Sequence, residues 1–276
     1  MASSRVWSPS RTADHIKCPV FAKVRREVEP IADWAPNLLL GTALGAGLTA
    51  YYRGMRDGSL DPDAIEEVSL TTLRSGYPEE GSEVWALEGL EKMLLRVLEK
   101  ALEEQVVYTG DTIVLVDEPV GSGGRPDLVV KQRNGKWNVL DFKFSLKVEG
   151  QYAARNLAAY ETDDQFWQYG WEVQQMYGGE VEWLRVLLMT GVPKAMVWPH
   201  RWQVTPQKMA FWLEGAEQAW EDMEAIEEGT RPRAPRWQSC QGGRYGRCPY
   251  FGWCHEPETR ALFYRELPPR ISSSLE

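Results

Sequence analysis

At 276 residues the chain can bury a sizeable core, as one large domain or two small ones, and its 43% hydrophobic and 26% charged residues are those of a soluble globular protein. A net charge of −9 argues against a uniformly basic nucleic-acid binder, and no apolar run reaches the roughly 18 residues a membrane-spanning helix needs. The opening Met1-Ala2-Ser3-Ser4-Arg5-Val6-Trp7 has no apolar signal core, so a cytoplasmic location is the default expectation.

The charge is unevenly spread. The first 26 residues carry Arg5, Arg11, Lys17, Lys23, Arg25 and Arg26 against Asp14 alone. Arg231, Arg233, Arg236, Arg244 and Arg247 follow one another near the other end without an acid between them. From Asp61 to Glu104, by contrast, acids outnumber bases about threefold. Both basic ends suit phosphate contacts, and solvated loops with incidental charge would look the same.

Ser8-Pro9-Ser10-Arg11 supplies cap and turn residues before a helix running toward Cys18-Pro19. Leu38 to Tyr52, with Gly41, Gly45 and Gly47, predicts a small-residue helix packed tightly in the core. Residues 53–82 are rich in Gly, Asp, Ser and Pro and read as loop with one short helix. Leu87, Leu90, Leu94, Leu98 and Leu102 recur at helical spacing and predict a core-facing helix over 84–105. Ile113 to Val116 reads as a strand ending near Glu118, a solvated strand-end charge.

The centre of the chain is Gly124-Arg125-Pro126-Asp127, then Leu128-Val129-Val130, a polar turn with Asn134-Gly135, and an apolar run from Trp137 through Leu140-Asp141-Phe142-Lys143. Apolar runs flanking Asn-Gly predict a β-hairpin. Alternation along the second strand puts Trp137, Val139, Asp141 and Lys143 on one face, with Asp127 across the hairpin. Two converging carboxylates are costly without a cation. Hard divalent ions such as Mg²⁺ or Mn²⁺ suit oxygen ligands, and a neighbouring lysine can serve a metal-bound water or offset charge building on a phosphate. An exposed hairpin with a surface Asp–Lys pair remains the alternative.

A helix from about Ala153 to Met176 follows, in which Gln165 and Tyr169 share a face and can point at the same strand end. Val181–Thr190 and Ala195–Val204 predict two further strands joined at 191–193. Thr205-Pro206 opens a helix whose apolar face carries Met209, Trp212, Leu213, Ala216, Ala219, Trp220 and Met223, ending at Gly229. Trp167, Trp171, Trp212 and Trp220 are read as core rather than as base-stacking platforms.

Three of the four cysteines, Cys240, Cys248 and Cys254, crowd into a Gly- and aromatic-rich stretch, far in sequence from Cys18. Four thiolates suit Zn²⁺ or a [4Fe-4S] cluster, and disulfides are not expected in a reducing cytoplasm. The paired Cys-x₂₋₄-Cys knuckles usual for zinc are missing, which makes Zn²⁺ the lesser alternative. Independent buried thiols are the plain alternative.

Pro126-Asp127, Asp141-Phe142-Lys143 and Gln165-x-x-x-Tyr169, in this order, resemble the PD-(D/E)XK nuclease superfamily and within it the RecB-like branch. The distant Cys18 with Cys240, Cys248 and Cys254 looks like the iron–sulfur staple of that branch, found in AddB and in CRISPR-associated RecB-like exonucleases. The Cys240–Cys248 gap is longer than the family's usual two intervening residues.

The resemblance implies an α/β fold: a restriction-endonuclease-like mixed sheet flanked by helices, with a C-terminal Cys-rich cluster-binding lobe. It implies one nuclease domain over 1–276, with a catalytic core at 108–204 and a staple formed by 1–30 and 229–258. Asp127, Asp141 and the Phe142 carbonyl would hold Mg²⁺ or Mn²⁺, Lys143 would serve the attacking water, and Gln165 and Tyr169 would position the strand.

The implied activity is exonucleolytic hydrolysis of single-stranded DNA or DNA ends, in a repair, recombination, CRISPR or phage setting with corresponding protein partners and no membrane. A departure stands at Gly45, where the family has a metal-binding histidine; Glu66, Glu67 or Glu118 could substitute. The competing reading is a catalytically inactive, cluster-bearing DNA-binding or assembly module, and a third is a zinc-stabilised binding protein.

Overall fold

The structure is a computed structural model, and it describes residues 7–30, 36–58, 61–77, 86–104, 106–147, 150–192, 196–233, 250, 254 and 264–266. The chain divides into two compact units, one of residues 34–212 and one of residues 1–33 with 213–276; the division falls within a long helix.

The larger unit is built on a five-stranded sheet. Its strands are β2 (Thr112–Val116), β3 (Leu128–Lys131), β4 (Trp137–Lys147), β5 (Val181–Val192) and β6 (Met196–Gln203), in that spatial order. All neighbours are antiparallel except β4 and β5, which run parallel because two helices, α6 (Gly150–Tyr160) and α7 (Asp164–Tyr177), carry the chain back between them. This is the mixed sheet flanked by helices expected from the sequence. The β3–β4 hairpin turns at Gly135, whose φ of +81° is the left-handed conformation the Asn134-Gly135 pair supplies.

The two sheet faces are covered differently. Leu128, Leu140, Leu187 and Met189 pack with the buried residues of α3 (Pro36–Asp57) and α5 (Leu87–Glu103) in one core. On the other face, Gly170 of α7 lies against Leu184, where a Cβ would meet the leucine at 3.1 Å. The small-residue helix α3 is packed as tightly as its composition predicts: a Cβ on Gly47 would stand 3.2 Å from Leu73, Leu94 and the Ser69 carbonyl.

Several sequence expectations are corrected. Residues 53–82 are not mainly loop, since α3 continues to Asp57 and a 14-residue helix, α4 (Pro62–Ser75), follows. Its start is specified locally, with Pro62 at N1 and the Asp61 side chain accepting from the Ala64 amide. Leu102, placed on the core face by the leucine spacing, is 63% exposed, while Met93, Val97 and Ala101 take core positions. A continuous leucine seam would drift around a helix of 3.6 residues per turn, so the buried stripe moves off it.

The single helix expected over 153–176 is two, because Asp163 leaves helical geometry and caps α7 by accepting from the Gln165 amide. Trp167, Trp212 and Trp220 are buried, as expected of core residues.

In the smaller unit, α1 (Pro9–Lys17) is followed after Cys18 by α2 (Pro19–Glu27), and β1 (Val28–Pro30) pairs antiparallel with β7 (Tyr264–Glu266). Beside them lies the end of α8 (Pro206–Glu227), whose Trp220 indole donates to the Thr12 hydroxyl at 2.9 Å and whose Asp222 meets His15 at 2.8 Å. Cys18, Phe21, Val24 and Tyr250 form a small buried cluster, with Phe21 and Tyr250 edge-to-face at 5.5 Å.

Candidate active site

The sequence-predicted residues meet at one end of the sheet. Asp127 stands immediately before β3, and one of its oxygens accepts from the Phe142 amide at 2.5 Å across the hairpin. Asp141, its side chain 5% exposed, lies on β4 in ion-pair contact with Lys143, which is 28% exposed. The Lys143 ammonium also donates to Gln165 Oε1 at 3.5 Å, and Gln165 Nε2 donates to the Tyr169 hydroxyl at 2.6 Å. Capping of α7 by Asp163 aims the first turns of that helix at the strand end, which is why a pair spaced i, i+4 reaches Lys143.

Electrostatics make this cluster short of positive charge. Burial is the largest influence on both carboxyls and raises both; Asp141 pushes Asp127 further up, and Asp163 does the same to Asp141. Burial works against the Lys143 ammonium, but Asp141 and Asp127 outweigh it, so its pKa is raised and it stays charged. Tyr169 is raised as well, by burial and by Asp141.

Two carboxylates and one ammonium leave a formal negative charge in a confined place. Asp141 Oδ2 is fully shielded from solvent and in contact with the Lys143 ammonium. Two buried carboxylates make an all-oxygen donor set, which fits a hard divalent ion better than a soft one. Among the described residues, no group of three or more His, Cys, Asp or Glu side chains is placed to hold a metal.

A cavity of about 940 Å³ opens on Asp127 and Lys143, walled by α3 through Gly45, Ala46 and Arg53. Gly45 faces open space, with nothing within 4 Å of an added Cβ. None of the sequence-proposed substitutes for the missing histidine lines this cavity: Glu118 is paired with Arg56 at 2.5 Å and Glu67 with Arg74 at 3.1 Å.

Asp117 does line it, although the sequence reading passed it over. Its φ of +50° is the left-handed conformation, found at no other non-glycine residue described, and its charge adds to the load on Asp127. Arg53, which donates to the Val116 carbonyl at 3.2 Å, is the second cation of the cavity wall.

Sequence reasoning also missed a buried support behind the site. The turn at Gly121–Gly124, which leads into Asp127, is held against α7 by Glu172. One carboxylate oxygen of Glu172 accepts from the Ser122 hydroxyl, from the Ser122 amide at 3.3 Å and from Gln168 Nε2 at 2.9 Å. Burial raises the pKa of Glu172, and a glutamine in its place keeps an accepting oxygen in the same shape. Glu172→Ala is expected to cost about 2–3 kcal/mol, because buried donors lose their acceptor, and Glu172→Gln less than about 1 kcal/mol. Chemical denaturation checks this, and equal losses for the two variants would refute it. The i, i+4 spacing of Gln168 and Glu172 is the only trace of this support in the sequence.

Of the cysteines, Cys18 is buried and Cys254 half-buried, and the Cys254 amide donates to the Tyr250 carbonyl at 3.1 Å. Cys240 and Cys248 lie outside the described residues.

A family model, that of the PD-(D/E)XK nuclease superfamily, matches residues 6–255. Among solved structures, a protein of Eubacterium rectale with the provisional designation of exonuclease is 13% identical, covers 96% of this chain and 90% of its own, and has a TM-score of 0.44. The alkaline exonuclease LHK-Exo of Laribacter hongkongensis is 12% identical, with 70% of this chain and 95% of its own covered and a TM-score of 0.31. No curated protein matches the chain.

Proposed function

This chain belongs to the PD-(D/E)XK nuclease superfamily, a family of phosphodiester-hydrolysing nucleases that use divalent metals such as Mg²⁺ or Mn²⁺, and on that premise we propose that it is an exonuclease acting on single-stranded DNA or DNA ends. The observation that carries this reading is the meeting of Asp127, Asp141, Lys143, Gln165 and Tyr169 at one end of the sheet, where Asp127 and Lys143 open on a cavity of about 940 Å³.

Asp127, Asp141 and the Phe142 carbonyl would hold the metal, which supplies a Lewis acid for the phosphoryl oxygen and an acidified water as nucleophile. Lys143 remains an ammonium beside Asp141, so it orients a water and offsets charge building on the phosphate rather than taking a proton in the resting state. Gln165 and Tyr169 form the hydrogen-bonded arm that positions the strand, and Arg53 offers the cavity a second contact for phosphate.

Cys18, Cys240, Cys248 and Cys254 would carry a [4Fe-4S] cluster of structural role. The packing of Cys18 with Tyr250, which lies between Cys248 and Cys254 in sequence, supports this reading. Iron and sulfide analysis with visible absorbance tests it; colourless, zinc-containing protein would refute it.

The deciding experiment offers linear and circular single-stranded DNA of one sequence with Mn²⁺. The linear form is expected to be degraded and the circle spared. Equal cutting of the circle would rule out exonuclease action, and binding without cleavage under every divalent metal would favour the inactive DNA-binding module.

A further inference from the structure

We infer that the pocket between β5 and the C-terminal end of α5 is a second anion site, in which Arg185 and Arg201 hold a phosphate-type oxyanion. Arg185 interrupts an apolar strand. Alternation along β5 turns it with Leu187 and Met189 toward α5, and it aligns with Leu140 rather than with Asp141. It is 4% exposed. Directly opposite on β6 stands Arg201, so two like charges occupy a cross-strand pair, normally a destabilising arrangement.

The partners of Arg185 are few. Its Nη1 donates to the Glu104 carbonyl, at the end of α5, over a long 3.4 Å, and the Tyr108 side chain is a hydrogen-bonding neighbour of the guanidinium. Nε and Nη2 are shielded from solvent and make no well-aligned hydrogen bond among the described residues, and no carboxylate there lies within ion-pair distance of this guanidinium. Glu104 lines the same pocket, and its carboxylate is engaged by Lys100 at 3.2 Å. Arg201 is exposed and leans over the Trp183 ring at 4.8 Å.

Burial and the neighbouring Arg201 lower the pKa of Arg185 and outweigh the opposing influence of Tyr108 and of the Glu104 carboxylate. Nε–H and Nη2–H are the parallel edge of the guanidinium, the one that matches two oxygens of a phosphate or carboxylate. A cavity of about 330 Å³, lined by Arg185, Arg201, Glu104, Pro199 and His200, gives room for such a group. None of these residues lines the catalytic cavity. The choice of phosphate over carboxylate rests on the nuclease reading, because substrate and products carry that group.

The test uses the full chain in EDTA, so that nothing is cleaved and the outcome is independent of catalysis. Inorganic phosphate is titrated by calorimetry and thermal shift. Saturable binding with a raised Tm is expected, weakened at least about tenfold in Arg185→Gln and severalfold in Arg201→Gln, and unchanged in Asp127→Asn. No saturable binding, or binding by Arg185→Gln as tight as wild type, would overturn the proposal. Should Arg185→Gln fail to fold, undiminished binding by Arg201→Gln would overturn it. A single-stranded oligonucleotide that displaces the phosphate identifies a strand phosphodiester as the ligand, and one that does not identifies the free ion.

Discussion

Replacing Asp141 by asparagine is expected to lower DNA cleavage by roughly 10³-fold or more while making the metal-free protein more stable at neutral pH. The two effects have one cause. Asp141 is a buried carboxylate beside a second one, and in the absence of metal its charge is carried at a cost offset only partly by Lys143. The amide keeps the shape and removes the charge, for an expected gain of about 1–2 kcal/mol, the size of a buried polar group's desolvation penalty.

The pH dependence has a definite sign. Asp127 and Asp141 have folded pKa values raised above the ordinary 3.8, so the native state binds more protons than the unfolded chain above that pH. Their contribution to stability is therefore present below about pH 4 and is lost as pH rises through the raised folded values. Unfolding in EDTA between pH 4 and pH 8 should show this decline in wild type and a shallower one in Asp141→Asn. Mn²⁺ should raise the Tm of wild type, by about 2.7 kcal/mol of stability at a hundredfold excess over its Kd, and leave Asp141→Asn almost unmoved. A variant less stable than wild type at neutral pH, with the same slope, would refute the electrostatic account.

Replacing Lys143 by methionine should act in the opposite direction on stability and the same direction on rate. It strips two buried carboxylates of their cation, an expected loss of about 3 kcal/mol at neutral pH, the low end for a broken buried pair because the lysine is partly exposed. Cleavage should fall by about 10²–10⁴-fold.

Metal separates the two losses. Mn²⁺ held by Asp127 and Asp141 would supply the missing charge and should restore most of the Tm, whereas the rate should stay low if the ammonium serves the attacking water. Lys143→Arg should recover stability better than activity, since it keeps the charge but not the compact ammonium. A Lys143→Met protein that regains its rate with Mn²⁺ would show that Lys143 has only a structural role.

Much of the site was legible in sequence because its parts are local. Asn134-Gly135 specifies the hairpin, period-2 alternation puts Asp141 and Lys143 on one face, and period-3.6 spacing puts Gln165 and Tyr169 on another. Each of these follows from backbone geometry over a few residues.

What the chain alone could not reveal comes from segments meeting at long range. The parallel register of β4 and β5 decides that Arg185 lies beside Leu140 and away from Asp141, and the pairing of β5 with β6 sets it against Arg201. The packing of α7 against the 121–124 turn makes Glu172 a support, and the left-handed backbone at Asp117 turns that residue to the cavity Gly45 leaves open. Periodicity reports which face a residue occupies. Which other segment covers that face depends on the free energy of the whole packed unit, which no local pattern contains.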